Sequence, residues 1–379
     1  MTKFDTHLCL VSAQSTPNLI PVMDSEFAPR RVVLAVSPDM HARGEWLSTV
    51  MRRHKVLVET LKIDDAYDFN SCWDIFSEWL TEQTTEVALN VTGGTKVMAM
   101  AAQDVFREMK NPIFYINVEN DSVLRLDRGE QPFTLISKIK LREYLESHGY
   151  SVNNEANSKP NIPGKQRDFV KRLAYESDRL GVGLGQLNWL AQQAKDTLVS
   201  PELDANQLDS RALNELISMF STAEWLIHKN NKLQFPSEAA RKFVNGGWLE
   251  FLVYQELTQL APEIGLADYA IGLEVTAADG KTKNELDVAT LYKNTLHIIE
   301  CKSANLNSNG KMEESSGAEA LYKLEALRDI GGLRTKALLV DFRGGLRDTD
   351  KRRAAQMNLG IISSAQLRDL KGALKGWLN

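Results

Sequence analysis

The residues with the strongest chemical character in this sequence are Asp287, Glu300 and Lys302, all within residues 284–303 (NELDVATLYKNTLHIIECKS). On a strand, side chains two positions apart point to the same face, so Glu300 and Lys302 are expected to project together. Two carboxylates and an ammonium are a poor choice for the purely structural face of a sheet. They suit the binding of a hard divalent cation and the polarisation of a water beside a phosphate.

A β-hairpin is the element that must position these side chains. The sequence predicts strands at 286–292 and 296–303, joined by a turn at Lys293-Asn294. Antiparallel pairing of these strands would bring Asp287 alongside Glu300 and complete the group.

Further candidates flank the hairpin. Glu250 lies in the first turns of a predicted helix, WLEFLVYQEL, which is expected to pack against the sheet. Glu285 is expected to alternate away from Asp287 and to be solvated or bound to a basic partner. The remaining neighbours are Asn284, Tyr322 and Lys323.

A second candidate site lies near the N-terminus, where the strand EVALNVT leads into Gly93-Gly94-Thr95-Lys96 and then into a helix. Backbone N–H groups at such a helix start attract anions, and glycines let a phosphate approach closely. The loop matches neither the Walker A pattern nor the dinucleotide fingerprint. A Gly-Gly turn can be a plain chain reversal, but Thr92, Thr95 and Lys96 favour phosphate binding. Residues 12–18, after the first strand, place more small polar groups in the same crevice.

Composition limits the class of protein. The 379 residues carry a net charge of -5 and are 43% apolar, which suggests two or three domains and confines any grip on nucleic acid to local patches. No apolar run has the roughly 18 residues that a membrane helix needs. Cys9, Cys72 and Cys301 are scattered without metal-binding spacing, which indicates a reducing compartment. We therefore expect a cytoplasmic protein that does not bind membranes.

Three segments follow from the periodicity. Residues 1–149 alternate strand and helix patterns, which predicts a Rossmann-like α/β domain. Residues 150–236 read as an Asn/Pro/Ser-rich linker at 150–164 and a helical connector, broken by glycines at 181–185, with a winged helix as the alternative. Residues 237–379 predict a second α/β domain.

The N-terminal motifs LVSAQSTPN and NVTGGTKVMAMA resemble the CARF sensor domain of CRISPR-associated ancillary nucleases. The resemblance implies that a cyclic oligoadenylate, most often the tetra-adenylate, binds across the axis of a homodimer. A two-fold ring fits an isologous interface, which presents each site twice around its axis. The implied ligand-binding residues are Ser12, Gln14, Asn18, Thr92, Gly93, Gly94, Thr95 and Lys96.

The C-terminal motifs NGGWLE, ELDV and IECK resemble the PD-(D/E)xK nuclease half of the same family, with Leu286 in place of the motif proline. The expected roles follow from the residue types. Asp287, Glu300 and the carbonyl of Cys301 would hold Mg²⁺ or Mn²⁺, and Glu250 would orient a second metal or its waters. Lys302 would orient the attacking water and stabilise the charge that develops at phosphorus.

Together these features predict a homodimeric nuclease of type III CRISPR antiviral defence, activated by cyclic oligoadenylate and cutting DNA or RNA with low sequence specificity. Two alternatives remain: a ligand-responsive nucleic-acid-binding regulator with an inactive nuclease fold, and a stand-alone restriction-type nuclease. Residues 328–353 carry eight Lys or Arg against four Asp. They are either a solvated surface or a phosphate-tracking one.

Overall fold

Residues 3–127, 131–160, 164–304, 306 and 316–379 are described by the computed structural model. They form a seven-stranded sheet, a two-stranded hairpin and a six-stranded sheet, with helices around them. Within these residues, no helix combines the length and the apolar character needed to cross a bilayer.

The N-terminal sheet is doubly wound, with strand order β3-β2-β1-β4-β5-β6-β7. Its first five strands are parallel, and the last two are antiparallel additions. The strands are β1 Thr6–Leu10, β2 Arg31–Val36, β3 Leu57–Lys62, β4 Val87–Asn90, β5 Ile113–Asn117, β6 Ser122–Arg125 and β7 Phe133–Thr134. The helices are α1 Thr16–Met23, α2 His41–Arg52, α3 Phe69–Thr81 and α4 Lys96–Glu108.

Strand β1 lies between β2 and β4, so the strand order reverses at this point: β2 and β3 lie on one side of β1, and β4 and β5 lie on the other. Ligands of doubly wound sheets bind at this switch point, beyond the carboxyl ends of the strands. The predicted loops at residues 12–18 and 92–96 meet there. Helix α1 was not predicted, because Pro17 and Pro21 hide its pattern; Pro17 is tolerated in the first turn, where its missing N–H is not needed.

Helix α5 (Leu141–Ser147) and strand β8 (Tyr150–Val152) follow the first sheet. Strand β8 pairs antiparallel with Val275–Ala277, and therefore belongs to the sheet of the C-terminal domain. The expectation that residues 150–164 form only a linker is wrong for this strand. A three-residue, half-exposed strand has too little apolar alternation to stand out among Asn, Pro and Ser, and its partner lies more than a hundred residues away.

The connector consists of α6 Gly164–Tyr175, α7 Ser177–Gln193, α8 Ala205–Asp209, α9 Arg211–Thr222, β9 Ile227–Lys229 and β10 Lys232–Gln234. A bridge between Val199 and Gln234 adds a third extended segment to the hairpin. The connector is therefore a set of helices followed by a hairpin, and the winged helix that the sequence left open as the alternative stays a prediction.

Helix α7 runs without interruption through its three glycines, so the predicted break there is wrong. The reason is packing: a Cβ on Gly183 would lie 2.6 Å from the backbone of Ala212 on α9. The absence of a side chain lets the two helices approach closely, and the surrounding leucines of α7 are fully buried.

The C-terminal sheet has the order β15-β14-β13-β12-β11-β8. Its strands are β11 Asp268–Ala277, β12 Lys283–Tyr292, β13 Thr295–Lys302, β14 Lys336–Asp341 and β15 Gly360–Ser363. Its helices are α10 Glu238–Lys242, α11 Trp248–Ile264, α12 Ser316–Arg328, α13 Asp348–Gln356 and α14 Leu370–Leu378. The predicted α/β class is confirmed for both domains, with helices connecting them.

Two hydrophobic cores cover opposite faces of this sheet. Leu296 and Ile298 of β13 pack in one core with Leu321 of α12, and this core continues into the N-terminal domain. Ile299 and Cys301 pack in the other core, with α11 and the connector. The alternation of side chains along β13 therefore directs Glu300 toward the α12 side.

Candidate active site and ligand-binding loops

The predicted catalytic residues gather at one end of β12 and β13. A cavity of about 480 Å³ opens there. Glu250, Asp287, Cys301 and Lys302 line it, and Glu300 lies buried beside Lys302. The structure thus brings together side chains from a helix and two strands that are up to 52 positions apart in sequence.

Glu250 is positioned by a kink between α10 and α11. Residues Phe243–Gly247 make a wide turn in which Gly246 has φ 112°, and a Cβ there would lie 2.2 Å from Ser303 Oγ. Glycine therefore lets the kink approach the end of β13. Trp248 follows; it is fully buried, with its ring edge-on to Phe342. This anchor fixes the first turn of α11, which carries Glu250 toward the cavity.

Asp287 is positioned by the predicted hairpin. Lys293 and Asn294 both have positive φ (48° and 53°), the geometry of a two-residue type I′ turn that matches strand twist. Regular pairing ends at Val288 opposite Ile299. One residue beyond, Asp287 Oδ2 accepts a hydrogen bond of 2.8 Å from the N–H of Cys301. The carboxylate thus occupies the point where the two strands separate.

Glu300 is fully buried and is held by two lysines. Its Oε1 accepts hydrogen bonds from Lys302 Nζ at 2.6 Å and from Lys323 Nζ at 2.7 Å. Its Oε2 has no hydrogen-bond partner among the described residues. A buried carboxylate oxygen left unbonded is costly, so Glu300 has an unused ligand position.

The electrostatics show an excess of negative charge. Burial, followed by repulsion from Asp287 and Glu285, raises the pKa of Glu250 to about 8. Burial, followed by the charge of Glu300, raises the pKa of Asp287 to about 6. Burial would lower the pKa of Lys302, but the adjacent Glu300 carboxylate overrides it and raises it. A cation bound among these carboxylates would relieve the repulsion.

The expectation that Glu285 points away from Asp287 is wrong. Residues two apart on a strand share a face, and Glu285 lines the same cavity as Asp287. The catalytic group therefore has a fourth carboxylate at its border, which adds to the negative potential.

The residues fit a hard divalent cation by donor type. Among the described residues, no group of three or more His, Cys, Asp or Glu is already arranged to hold a metal ion. The donors nearby are carboxylate oxygens, which Mg²⁺ and Mn²⁺ prefer, and no described residue bonds to Glu300 Oε2. The Cys301 thiol is not a ligand of this kind, because burial raises its pKa well above the usual value.

The N-terminal loops meet tightly at the switch point. A Cβ on Gly93 would lie 2.0 Å from the carbonyl oxygen of Leu10, so the loop after β4 rests directly on the end of β1. Gly94 has φ 75°, in the left-handed region. Thr95 then caps α4, its Oγ1 accepting from the N–H of Met98 at 3.1 Å. The helix start is thereby fixed beneath the loop.

Of the eight predicted ligand-binding residues, Ser12, Gly94 and Thr95 line a cavity of about 160 Å³ in this crevice. Gln14 is half-buried, Lys96 is exposed, and Gly93 is buried against β1. The cavity walls include Tyr67, which is 73% exposed and which the sequence did not single out.

Two predicted residues face inward instead. The buried Asn18 donates to the carbonyl of Leu10 at 2.9 Å and accepts from Asn90 Nδ2 at 3.0 Å. Thr92 Oγ1 donates to Asn90 Oδ1 at 2.7 Å and accepts from the N–H of Ile116. Asn90, a buried amide at the end of β4, thus ties both loops together. No local pattern marked it, because it lies in an otherwise apolar strand.

The basic segment 328–353 is largely engaged within the protein. Arg328 donates to the carbonyl of Met357, and Arg334 pairs with Glu119 of the N-terminal domain. Arg353 pairs with Asp350 and stacks on the ring of Tyr322. Much of this charge therefore stabilises the fold, which favours the structural account of the segment over a continuous phosphate-tracking surface.

Helix α5 bonds the two domains to each other. Ser147 Oγ lies 2.6 Å from Ser15 Oγ, directly after the loop of residues 12–14. Tyr144 Oη, on the same helix, donates to the carbonyl of Gly331 at 2.9 Å. Gly331 ends the short 3₁₀ turn (Asp329–Gly331) that follows α12. Two buried hydrogen bonds from α5 thus link the N-terminal loop to the turn that follows the helix carrying Lys323.

Residues 6–144 match the family described as the Card1 CARF domain, and residues 237–379 match the Card1-like endonuclease domain. No curated protein matches the chain. Protein VC1899 from Vibrio cholerae is 29% identical, with 98% of this chain and 97% of that chain covered and a TM-score of 0.87. Can2 from Sulfobacillus thermosulfidooxidans, solved with cyclic tetra-adenylate, is 28% identical, with 99% of each chain covered and a TM-score of 0.81.

A type III CRISPR defence DNA nuclease activated by cyclic oligoadenylate shares the fold, at 19% identity and a TM-score of 0.56, with 90% of this chain and 45% of that chain covered. The matches of both domains confirm the resemblance inferred from the motifs. The chain belongs to the CRISPR-associated CARF-domain nucleases, with a Card1 CARF domain followed by a Card1-like endonuclease domain.

Proposed function

We propose that this protein is a metal-dependent endonuclease that a cyclic oligoadenylate, most simply cyclic tetra-adenylate, switches on in type III CRISPR defence. The observation that carries the proposal is the convergence of Glu250, Asp287 and Lys302 at one cavity, with the buried Glu300 bonded to Lys302. Can2, similar over nearly its whole length, was solved with cyclic tetra-adenylate, which supports the choice of ligand. The protein is proposed to act as a homodimer on DNA or RNA, in the cytoplasm.

In the nuclease domain, Asp287, Glu300 and the carbonyl of Cys301 would hold Mg²⁺ or Mn²⁺, with Glu250 orienting a second ion or its waters. When bound, the metal would supply an activated water and a counter-charge for phosphate. The ammonium of Lys302, fixed by its bond to Glu300, orients the water for in-line attack. It also stabilises negative charge as the phosphodiester opens, because its own charge is secured by the neighbouring carboxylate.

In the CARF domain, the ligand phosphates are proposed to lie against Ser12 and the N–H groups of residues 93–96 at the start of α4. Gln14 and Lys96 are placed to add contacts from the rim. Asn18 and Thr92 support the loops from beneath, since their polar atoms are engaged by Leu10, Asn90 and Ile116. The proposal therefore changes these two residues from ligand contacts to positioning residues.

The domain division that accompanies this proposal is residues 1–149 for the CARF domain, 150–236 for the connector and 237–379 for the nuclease domain. Strand β8 is assigned to the connector by sequence position but completes the nuclease sheet. The end of the CARF domain therefore leads directly into a strand of the nuclease sheet. This connection favours activation by movement of one domain relative to the other.

One assay tests the proposal. The full chain is incubated with plasmid DNA, single-stranded DNA and RNA, with Mg²⁺, Mn²⁺ or EDTA, and with or without cyclic tetra-adenylate. Cleavage that needs both metal and ligand is the expected result. Equal cleavage without ligand would indicate a stand-alone nuclease. Ligand binding and nucleic-acid binding without any cleavage would indicate a regulator with an inactive nuclease fold.

A further inference from the structure

Lys323 is an ammonium at the catalytic carboxylate that the nuclease motifs do not include. It reaches Glu300 Oε1 at 2.7 Å from helix α12, whereas Lys302 reaches the same oxygen at 2.6 Å from β13 itself. Two positive groups on one oxygen repel each other, so the arrangement holds only because several carboxylates surround it. One of the two lysines is therefore in excess once a metal supplies positive charge.

The two lysines are held differently. Lys302 is tethered two residues from Glu300 on the same strand, and its side chain is 31% exposed. Lys323 comes from a separate element, and half of its side chain is exposed to solvent. Withdrawal of Lys323 into water costs less than withdrawal of Lys302, because its ammonium is readily rehydrated.

The helix that carries Lys323 is connected to the CARF domain. Helix α12 leads directly into the turn Asp329–Gly331, where the carbonyl of Gly331 accepts from Tyr144 Oη. Tyr144 and Ser147 share α5, and Ser147 contacts Ser15 beside the proposed ligand loop. A shift of that loop has a bonded route to α12.

We infer that Lys323 is a built-in cation that competes with the divalent metal for Glu300 and keeps the nuclease centre closed until α12 moves. The inference rests on the proposed function for the identity of the site. It adds the regulation of that site. The ligand weakens the bond between the Lys323 ammonium and Glu300 Oε1, so that the metal can replace the ammonium.

The test measures Mn²⁺ affinity of the full chain by calorimetric titration, without nucleic acid. In the absence of ligand, Lys323→Met is expected to bind Mn²⁺ about tenfold more tightly than the unaltered protein, because a competing charge is gone. Lys323→Arg, which keeps the charge, should stay within about twofold. Lys351→Met removes an exposed lysine of α13 that pairs with Asp348 and serves as the matched control.

Unchanged or weaker Mn²⁺ binding by Lys323→Met would overturn the inference, and Lys323→Gln repeats the measurement should the methionine variant unfold. Cyclic tetra-adenylate is then added: it should tighten Mn²⁺ binding by the unaltered protein and leave Lys323→Met unaffected. Direct titration with cyclic tetra-adenylate shows whether a negative result contradicts the proposed function or only the role of Lys323. Absence of ligand binding refutes the proposed function, whereas ligand binding with an Mn²⁺ affinity insensitive to Lys323 refutes only this inference.

Discussion

The nuclease centre and the CARF loops use polar residues in opposite ways. In the nuclease centre, carboxylates and ammonium groups gather at one end of β12 and β13, and Glu300 Oε2 has no hydrogen-bond partner in the part of the chain that the structure describes. In the CARF loops, Asn18 and Thr92 turn away from the crevice and bond to Asn90 beneath it. The crevice is lined by Gly94, by the small hydroxyl side chains of Ser12 and Thr95, and by larger side chains that include Tyr67.

The difference reflects what each site must do. In the nuclease centre, burial and then repulsion between carboxylates raise the pKa values of Glu250 and Asp287, and a bound cation would offset both effects. The CARF crevice has its internal hydrogen bonds satisfied, so its shape is fixed before a ligand arrives. The first site is accordingly sensitive to charge, and the second to the volume of a single methyl group. Four experiments test this contrast.

The largest effect is expected from Glu300→Gln. The substitution keeps the shape of the side chain but removes the charge that binds both lysines, so cleavage should fall on the order of a thousandfold. Cyclic tetra-adenylate should still bind, because the crevice lies in the other domain. Gel-based cleavage and ligand titration check the two halves, and substantial residual cutting would mean that Glu300 is not at the reacting centre.

The next effect is expected from Gly93→Ala. The added methyl would meet the carbonyl of Leu10, so the loop after β4 must move and ligand affinity should fall by on the order of a hundredfold. Calorimetric titration with cyclic tetra-adenylate measures this loss. Gly181→Ala, where a Cβ meets nothing within 4 Å, is the control and should bind normally. Near-normal affinity of Gly93→Ala would show that the ligand lies elsewhere.

The burial of Glu250 among other carboxylates predicts a pH dependence of stability. The folded-state pKa of Glu250 is about 8, above its usual 4.5, so folding favours the protonated form and the metal-free protein loses stability as pH rises from about 4.5 to about 8. Glu250→Gln should remove this loss. Above pH 8 the variant should be the more stable by several kcal/mol, because each unit between the folded and the usual pKa is worth about 1.4 kcal/mol.

Urea unfolding of both proteins at pH 5 and at pH 8.5, in EDTA, measures that difference. Contributions from other groups, such as the buried His7, cancel in the comparison. Saturating Mn²⁺ should reduce the gap, because the metal binds the deprotonated carboxylates. Identical pH profiles for the two proteins would contradict the assignment of Glu250 to the carboxylate cluster.

The smallest effect is expected from Tyr144→Phe, which removes the hydroxyl that bonds to Gly331. A hydrogen bond of this kind contributes about 1 kcal/mol, so the stimulation of cleavage by ligand should fall about fivefold, with ligand affinity nearly unchanged. Tyr175→Phe alters an exposed tyrosine of α6 and is the control. Full stimulation of cleavage by the ligand in Tyr144→Phe would show that this hydrogen bond does not couple the CARF crevice to the nuclease centre.

The sequence predicts features that depend on local pattern or residue type, and it does not predict features that depend on atoms distant in the chain. Most strands of the two sheets follow from local periodicity, and the predicted strands at 286–292 and 296–303 overlap β12 (Lys283–Tyr292) and β13 (Thr295–Lys302). The nuclease residues follow from residue type, since the carboxylates and lysine act through their own side chains. The inward turn of Asn18 and the continuity of α7 do not follow, because each is decided by atoms distant in sequence. The same reason hides the contact of Lys323 with Glu300, although the residue itself was a candidate.

Strand β8 has a consequence for how this protein can be divided. It lies at one end of the six-stranded sheet and pairs with Val275–Ala277 of β11. A nuclease domain produced from residue 237 onward would leave the backbone groups of that edge unpaired, and open edges recruit other strands. Such a fragment is expected to aggregate, whereas a fragment that retains residues 150–152 protects the edge. Recombination between relatives at residue 236 would likewise separate the strand from its natural neighbour, whereas a junction at residue 149 keeps the strand and its neighbour together.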